Sequence, residues 1–257
     1  MKPPRIVGVL AALGLLLPAA AGAEWPYLTE EASTVGLGHF SLSAGVSRTE
    51  QDSPFLPGGR GVFWTLPEFQ GTLGVGPHAE VSFDYALLYF DPSGGGATVY
   101  QSGDLRLWTK LDVLPAKGHD LSIRFGVKLP NAPDDHGLGT DNTDFFAALL
   151  LDVHLGSALL SLNAGLGILG STETNQAQDD VFTWGAALRG PIGASFSAGF
   201  DASGYAGPWG IRIKHEYAWL GPVLTWRNGG FRIDLAGRRG IVDALGWGWV
   251  LGASYER

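Results

Sequence analysis

Charged side chains recur at two-residue spacing inside otherwise apolar stretches, and this pattern carries most of the chemistry the chain could do. Glu80 and Asp84 alternate with Val81, Phe83 and Tyr85, and Glu68 lies one stretch earlier. Asp104, Arg106 and Lys110 alternate with Leu105, Leu107 and Leu111; Arg124 and Lys128 alternate with Ile123, Phe125 and Val127. Asp152 with His154, and Arg232 with Asp234 and Arg238, repeat the spacing further on. An ionised group left alone in an apolar medium is penalised by several kcal/mol, so these residues must face water, a polar lumen or one another. An acidic wall would then stand beside a basic one. Close like charges repel unless acids or solute anions lie between them. Asp84 and Asp104 are the nearest candidate partners for Arg106, Lys110, Arg124 and Lys128, and two acids do not neutralise four bases. The pattern therefore predicts a residual positive patch that would orient small anions or acidic solutes.

Catalytic constellations are weaker. His39 and Ser41 stand two apart, the spacing of a base beside a nucleophile, but no acid is nearby and Leu42 follows. Asp152 and His154 could form a carboxylate-oriented base, with no serine tied to them. Asp134, Asp135, His136, Asp141 and Asp144 make one segment acidic without a calcium-loop spacing. Gly94, Gly95 and Gly96 lack the Lys-Ser/Thr of a phosphate loop. With no cysteine, a thiolate nucleophile or thiolate metal site is excluded. The chain reads as a non-enzyme that needs no cofactor or metal.

The elements that must position these charges are strands. Leu160, Leu162, Ala164, Leu166 and Ile168 alternate with Ser161, Asn163, Gly165 and Gly167, as in the stretches above. A helix would put Arg106 and Lys110 among leucines on neighbouring turns, so period two is the consistent reading. Twelve strands are predicted, near 38–48, 65–75, 79–90, 101–113, 120–130, 143–155, 158–170, 181–190, 194–205, 211–226, 231–239 and 245–255. Gly221-Pro222 interrupts the tenth, where a bulge or extra turn is expected. Short turns near 76–78, 114–119, 156–157, 191–193 and 227–230 alternate with longer polar segments at 49–64, 91–100, 131–142 and 171–180. Membrane barrels alternate short periplasmic turns with longer outer loops in this way. Tyr89, Tyr205, Trp247 and Tyr255 near strand ends fit interfacial girdles.

Composition agrees. Glycine, at 39 of 257 residues, is about twice its usual share and opposes a helical protein. An apolar content of 45% excludes a disordered chain, and a net charge of −8 disfavours a nucleic-acid binder. Lys2 and Arg5, the apolar run Ile6 to Ala20, and Ala21-Gly22-Ala23 form a secretory signal with a small-x-small cleavage site. No later run is long and apolar enough for a spanning helix. N-terminal sequencing of the protein from a membrane fraction is expected to begin at Glu24. A retained Met1, or recovery from the soluble periplasm alone, would contradict this reading.

Three motifs point to a family. Gly103-Asp104-Leu105, then Gly126-Val127-Lys128-Leu129-Pro130, then Gly137-Leu138-Gly139-Thr140-Asp141-Asn142-Thr143-Asp144 resemble, in order, motifs of the outer-membrane proteins grouped with the meta-pathway of phenol degradation. The match covers about a quarter of the chain. The resemblance implies a transporter-like barrel passing hydrophobic or aromatic compounds. One departure is at the C-terminus, where Tyr255 is followed by Glu256 and Arg257 rather than ending the chain as the usual terminal aromatic.

The reading is an all-β, transmembrane, antiparallel up-and-down barrel of about twelve strands in the bacterial outer membrane. Residues 1–23 are the signal peptide, 24–37 a short periplasmic lead-in and 38–257 the barrel; the acidic stretch 24–34 could hang in the periplasm or fold up as a small plug, and the sequence does not decide between them. The lumen is lined by Glu68, Glu80, Asp84, Asp104, Arg106, Lys110, Arg124, Lys128, Asp152, His154, Arg232 and Asp234. Its expected partners are outer-membrane lipids, a small-molecule solute and the barrel assembly machinery, with no nucleic acid, and the chain is expected to act as a monomer. The expected function is a channel for small molecules, hydrophobic or aromatic ones among them. The alternatives are a lipid-modifying barrel enzyme and an envelope barrel whose lumen is closed by paired charges.

Overall fold

The computed structural model describes residues 28–52, 60–116, 118–132, 141–170, 178–206, 217–242 and 246–257. The predicted signal peptide, and Asp134, Asp135 and His136 of the acidic segment, lie outside them. The elements are β1 (Phe40–Asp52), β2 (Arg60–Gly76), β3 (Ala79–Pro92), β4 (Val99–Ser102), β5 (Leu105–Ala116), β6 (His119–Leu129), β7 (Asp144–Leu155), β8 (Ala158–Gly170), β9 (Gln178–Pro191), β10 (Phe196–Ala206), β11 (Tyr217–Asn228), β12 (Phe231–Val242) and β13 (Trp247–Glu256). Each strand is antiparallel to its neighbours. β1 pairs with β13, β2 with β3, and β3 with β5, so the sheet closes into a barrel of twelve strands. Closure removes the edges that would otherwise leave backbone groups unpaired in lipid.

Two local expectations are corrected. The strand expected at 101–113 divides at Gly103-Asp104. β4 pairs only with the end of β3, outside the closed ring. The break occurs because the Gly103 amide donates to the Ala86 carbonyl at 2.7 Å, and the Asp104 carboxylate accepts the amides of Asn131 and Ala132 at 2.9 Å. Gly221-Pro222 makes neither a bulge nor a turn. Leu220 pairs with Arg239 and Val223 with Ala236 in unbroken register, with the two intervening pairs absent; the register shift of the β11–β12 ladder lies instead between Ala218 and Trp219. Pro222 has no N–H to donate there. A Cβ at Gly221 would sit 1.7 Å from the Gly237 carbonyl oxygen, so the strands close together only over glycine.

The two faces separate as the alternation requires. Phe125 is 44% exposed and Leu166 62% on the outer surface, whereas Ser122, Ser161 and Asp152 are buried inside. The outer face ends in two aromatic bands. Phe40, Tyr255 and Phe231 cluster at the end carrying the short turns, with ring centroids 6.2 and 4.8 Å apart. At the other end Trp64 meets Trp249 edge-on at 5.9 Å, with Arg48 over Trp64 and Arg239 over Trp247. The first and last strands meet on the short-turn side, where Phe40 and Arg257 exchange backbone hydrogen bonds of 2.8 and 3.0 Å. In the orientation of membrane barrels this is the periplasmic side.

A lumen filled by the N-terminal segment

Over its described part the lead-in does not hang in the periplasm but takes the plug alternative. At the short-turn mouth, Gly36 and Gly38 adopt positive φ of 78° and 77°, where glycine carries no steric penalty. The turn is pinned by the Gly38 amide on the Gly74 carbonyl, 3.0 Å, and the His39 amide on the Gly36 carbonyl, 3.2 Å. It sends residues 28–35 back up inside the barrel, where Thr29, Glu30, Glu31, Ala32 and Val35 are buried.

The segment has no strand partner, so the inward side chains satisfy its backbone instead. The Val35 amide donates to Glu80 at 2.8 Å and the Ala32 amide to Asp152 at 3.0 Å. The Ala32 carbonyl accepts Ser122 Oγ at 2.5 Å, and the Glu31 carbonyl accepts Lys110 Nζ at 3.1 Å. Asn163 clasps Glu30 from both sides, accepting its amide at 2.6 Å and donating to its carbonyl at 2.8 Å. Asp201 accepts the Leu28 amide at 2.6 Å and the Thr29 hydroxyl at 2.5 Å. The segment thus crosses the lumen from β3 to β10.

Its two carboxylates engage the basic residues. Glu30 pairs with Arg124 and stands 3.5 Å from Lys110, which is also 3.1 Å from Glu80; Glu31 pairs with Arg189. The Arg124 guanidinium lies 3.9 Å from the centre of the Trp108 ring, and Trp108 meets Phe146 at 5.6 Å. Buried pairs of this kind are held by geometry and by added hydrogen bonds, because desolvation cancels much of the charge attraction.

The predicted basic wall is therefore neutralised, which corrects the expectation of a residual positive patch. Lys110 and Arg124 meet Glu30 and Glu80 as above. Arg106 meets Asp84 at 3.0 Å, and Trp108 also donates to Asp84 at 2.7 Å. Lys128 meets Asp144 at 2.7 Å and Asp104 at 3.4 Å. Sequence proximity missed Glu30 and Asp144 because the partners come from the lead-in and from the start of the next strand. The Lys128 cluster also joins the three motif pieces: Asp104, Lys128 and Asp144 come one from each.

The remaining candidates separate. Arg232 and Asp234 pair at 2.8 Å, with the Thr225 hydroxyl on Asp234 at 2.5 Å. Arg238 lines the inner wall beside Leu28 and Asp201. Glu68 is half-buried, 3.5 Å from the Thr65 hydroxyl. Asp152 and His154 do not work together, since Asp152 holds the Ala32 amide while His154 sits at the exposed rim 3.6 Å from Asp120. The Ser41 hydroxyl is buried without a hydrogen-bond partner, and His39 is exposed, so no activated nucleophile forms there. Among the described residues no group of three or more His, Asp or Glu is placed to hold a metal. Ser122 and Asn163 are legible in the sequence only as inward-facing polar residues, and Arg189 and Asp201 are not singled out by it. The available signal was Glu30-Glu31 followed by Gly36-Leu37-Gly38 just before the first strand.

No model of a known protein family matches the chain, and no curated protein does. The phenol meta-pathway resemblance therefore rests on its three motifs. Solved structures do match in fold. The COG4313 outer membrane channel from Pseudomonas putida F1 superposes with a TM-score of 0.70 over 88% of this chain and 98% of its own, at 11% identity. The NanC porin gives 0.58 over 82% and 98%, at 9% identity. The translocator domain of the autotransporter NalP from Neisseria meningitidis gives 0.54 over 86% and 88%, at 12% identity. The chain has the fold of outer-membrane barrels.

Proposed function

We propose that the protein is an outer-membrane channel for small solutes whose lumen is closed, in the state described, by its own N-terminal segment. One observation carries this reading. The mid-lumen bases Lys110, Arg124 and Arg189 meet carboxylates supplied by a segment outside the barrel ladder, and that segment can leave without breaking a strand pair. A twelve-strand barrel has a backbone radius of roughly 12 Å, room for a small solute once the segment has moved and too little for a folded protein. Outer-membrane channels of the same fold support the location and the transport class. The motif resemblance supports hydrophobic or aromatic solutes; the charged inner wall of β3, β5 and β6 supports polar or ionised ones.

A second reading, an envelope barrel with a static filling, is favoured by the wall-to-wall pairs Arg106–Asp84, Lys128–Asp144 and Arg232–Asp234. Reconstitution in planar bilayers separates the two. The channel reading expects discrete conductance steps. It also expects that changing Lys110 and Arg124 together to Gln shifts the reversal potential toward cations, since Glu80 then loses Lys110 and Glu30 loses Arg124. A folded parent protein without conductance, or a conducting double variant without a shift, would leave the static reading.

A further inference from the structure

We infer that Glu30 occupies a seat for small carboxylate solutes, and that such a solute competes with the segment for Arg124 and Lys110; this rests on the channel reading above. The seat is built on rigid strands. Lys110 comes from the middle of β5 and Arg124 from β6, and the two are cross-strand partners in the ladder. The Arg124 guanidinium lies over the Trp108 ring, and the Trp108 ring is fixed by its hydrogen bond to Asp84. The two cations are thus held in place independently of the segment.

The occupant defines the ligand. Beyond its Cα, Glu30 presents a propionate group, with one carboxylate oxygen on Arg124 Nη1 and the other 3.5 Å from Lys110 Nζ, while Arg124 Nε is left without a partner. An arginine fork matches a planar carboxylate in two parallel hydrogen bonds, which no neutral amide reproduces. When the segment withdraws, Glu80 balances one of the two cations, and the seat keeps one positive charge that a monoanion neutralises. Arg106 and Asp84 lie two inward-facing pairs nearer the long-loop mouth on the same wall, so an entering solute passes a polar surface before it reaches the seat. Glu30 therefore acts as a built-in competitor, and a carboxylate solute both binds the seat and disfavours the closed state.

Saturation-transfer NMR on the full mature protein in detergent, with propionate as probe and propionamide as its neutral isostere, tests the seat. Glu30→Gln is expected to bind propionate at least tenfold more tightly than the parent, because its competitor has lost its charge. Adding Arg124→Gln to that background is expected to abolish the signal, and propionamide is expected to give none in any variant. Equal affinity in parent and Glu30→Gln, binding that survives Arg124→Gln, equal binding of propionamide, or equal displacement by inorganic phosphate would each overturn the inference. If Glu30→Gln fails to fold, a chain lacking residues 28–34 takes its place, since these residues contribute no strand. Propionate binding without conductance in any variant would remove the channel reading and keep the seat. Conductance without propionate binding would do the reverse.

Discussion

Replacing Glu30 and Glu31 together with glutamine is expected to raise the single-channel conductance, or the fraction of time open, at least tenfold while the barrel stays folded. The two carboxylates hold the segment against Arg124, Lys110 and Arg189. Removing one partner of a buried, hydrogen-bonded charge pair costs about 2–5 kcal/mol, largely because the other charge is left uncompensated. Here the cationic partners can recover solvent once the segment leaves, so the penalty falls on the docked state alone. Every 1.4 kcal/mol is a factor of ten in population, so even the lower figure exceeds tenfold. The strand ladder does not include residues 28–38, and heat-modifiable gel mobility should therefore match the parent. Protease cleavage within the segment should appear in the variant and not in the parent. Cleavage without a change in conductance would show that the segment moves but does not gate.

The second large effect concerns the lipid face. Phe125→Arg is expected to cost about 2–4 kcal/mol of folding stability, because the residue lies mid-strand on β6 and points into hydrocarbon. Gln70→Arg is the matching change inside. Gln70 is directly across the ladder from Asp84, which already meets Arg106, so the new charge shares that acid inside a polar lumen, and its cost should stay below that of Phe125→Arg. Gly126→Ser looks mild from alternation alone, since it puts a small polar group in the lumen. It should instead be harmful, because a Cβ there would lie 2.3 Å from the Trp108 ring and 2.4 Å from the Leu107 carbonyl. Urea unfolding in lipid vesicles would rank the three. Equal costs for Phe125→Arg and Gln70→Arg would mean that the inner and outer faces are wrongly assigned.

Much of this molecule follows from its sequence because the decisive signals are local. Side-chain facing in a strand has period two, so Val81, Phe83 and Leu107 must share one surface while Glu80, Asp84 and Arg106 share the other, whatever the rest of the chain does. Alternating short and long connections place the start of β1 and the end of β13 at the short-turn mouth by the same local logic. The strand break at Gly103-Asp104 was not legible, because it depends on amides at Asn131 and Ala132 in the next hairpin. Nor was the unbroken register at Gly221-Pro222, which depends on how closely Gly237 approaches across the ladder.

The inner residues were largely identifiable as inward-facing, and their partners were not. A lumen residue meets whatever crosses the barrel, and the separation along the chain then carries no information. Lys110 finds the Glu31 carbonyl 79 positions away, and Asp201 finds the Thr29 hydroxyl 172 positions away. What the sequence determines is a ring of strands with a charged inner face and an apolar outer one. Only the tertiary structure decides that the ring is filled, because filling it depends on a reversal at Gly36 and Gly38 that turns two acidic residues away from the periplasm and onto Lys110, Arg124 and Arg189.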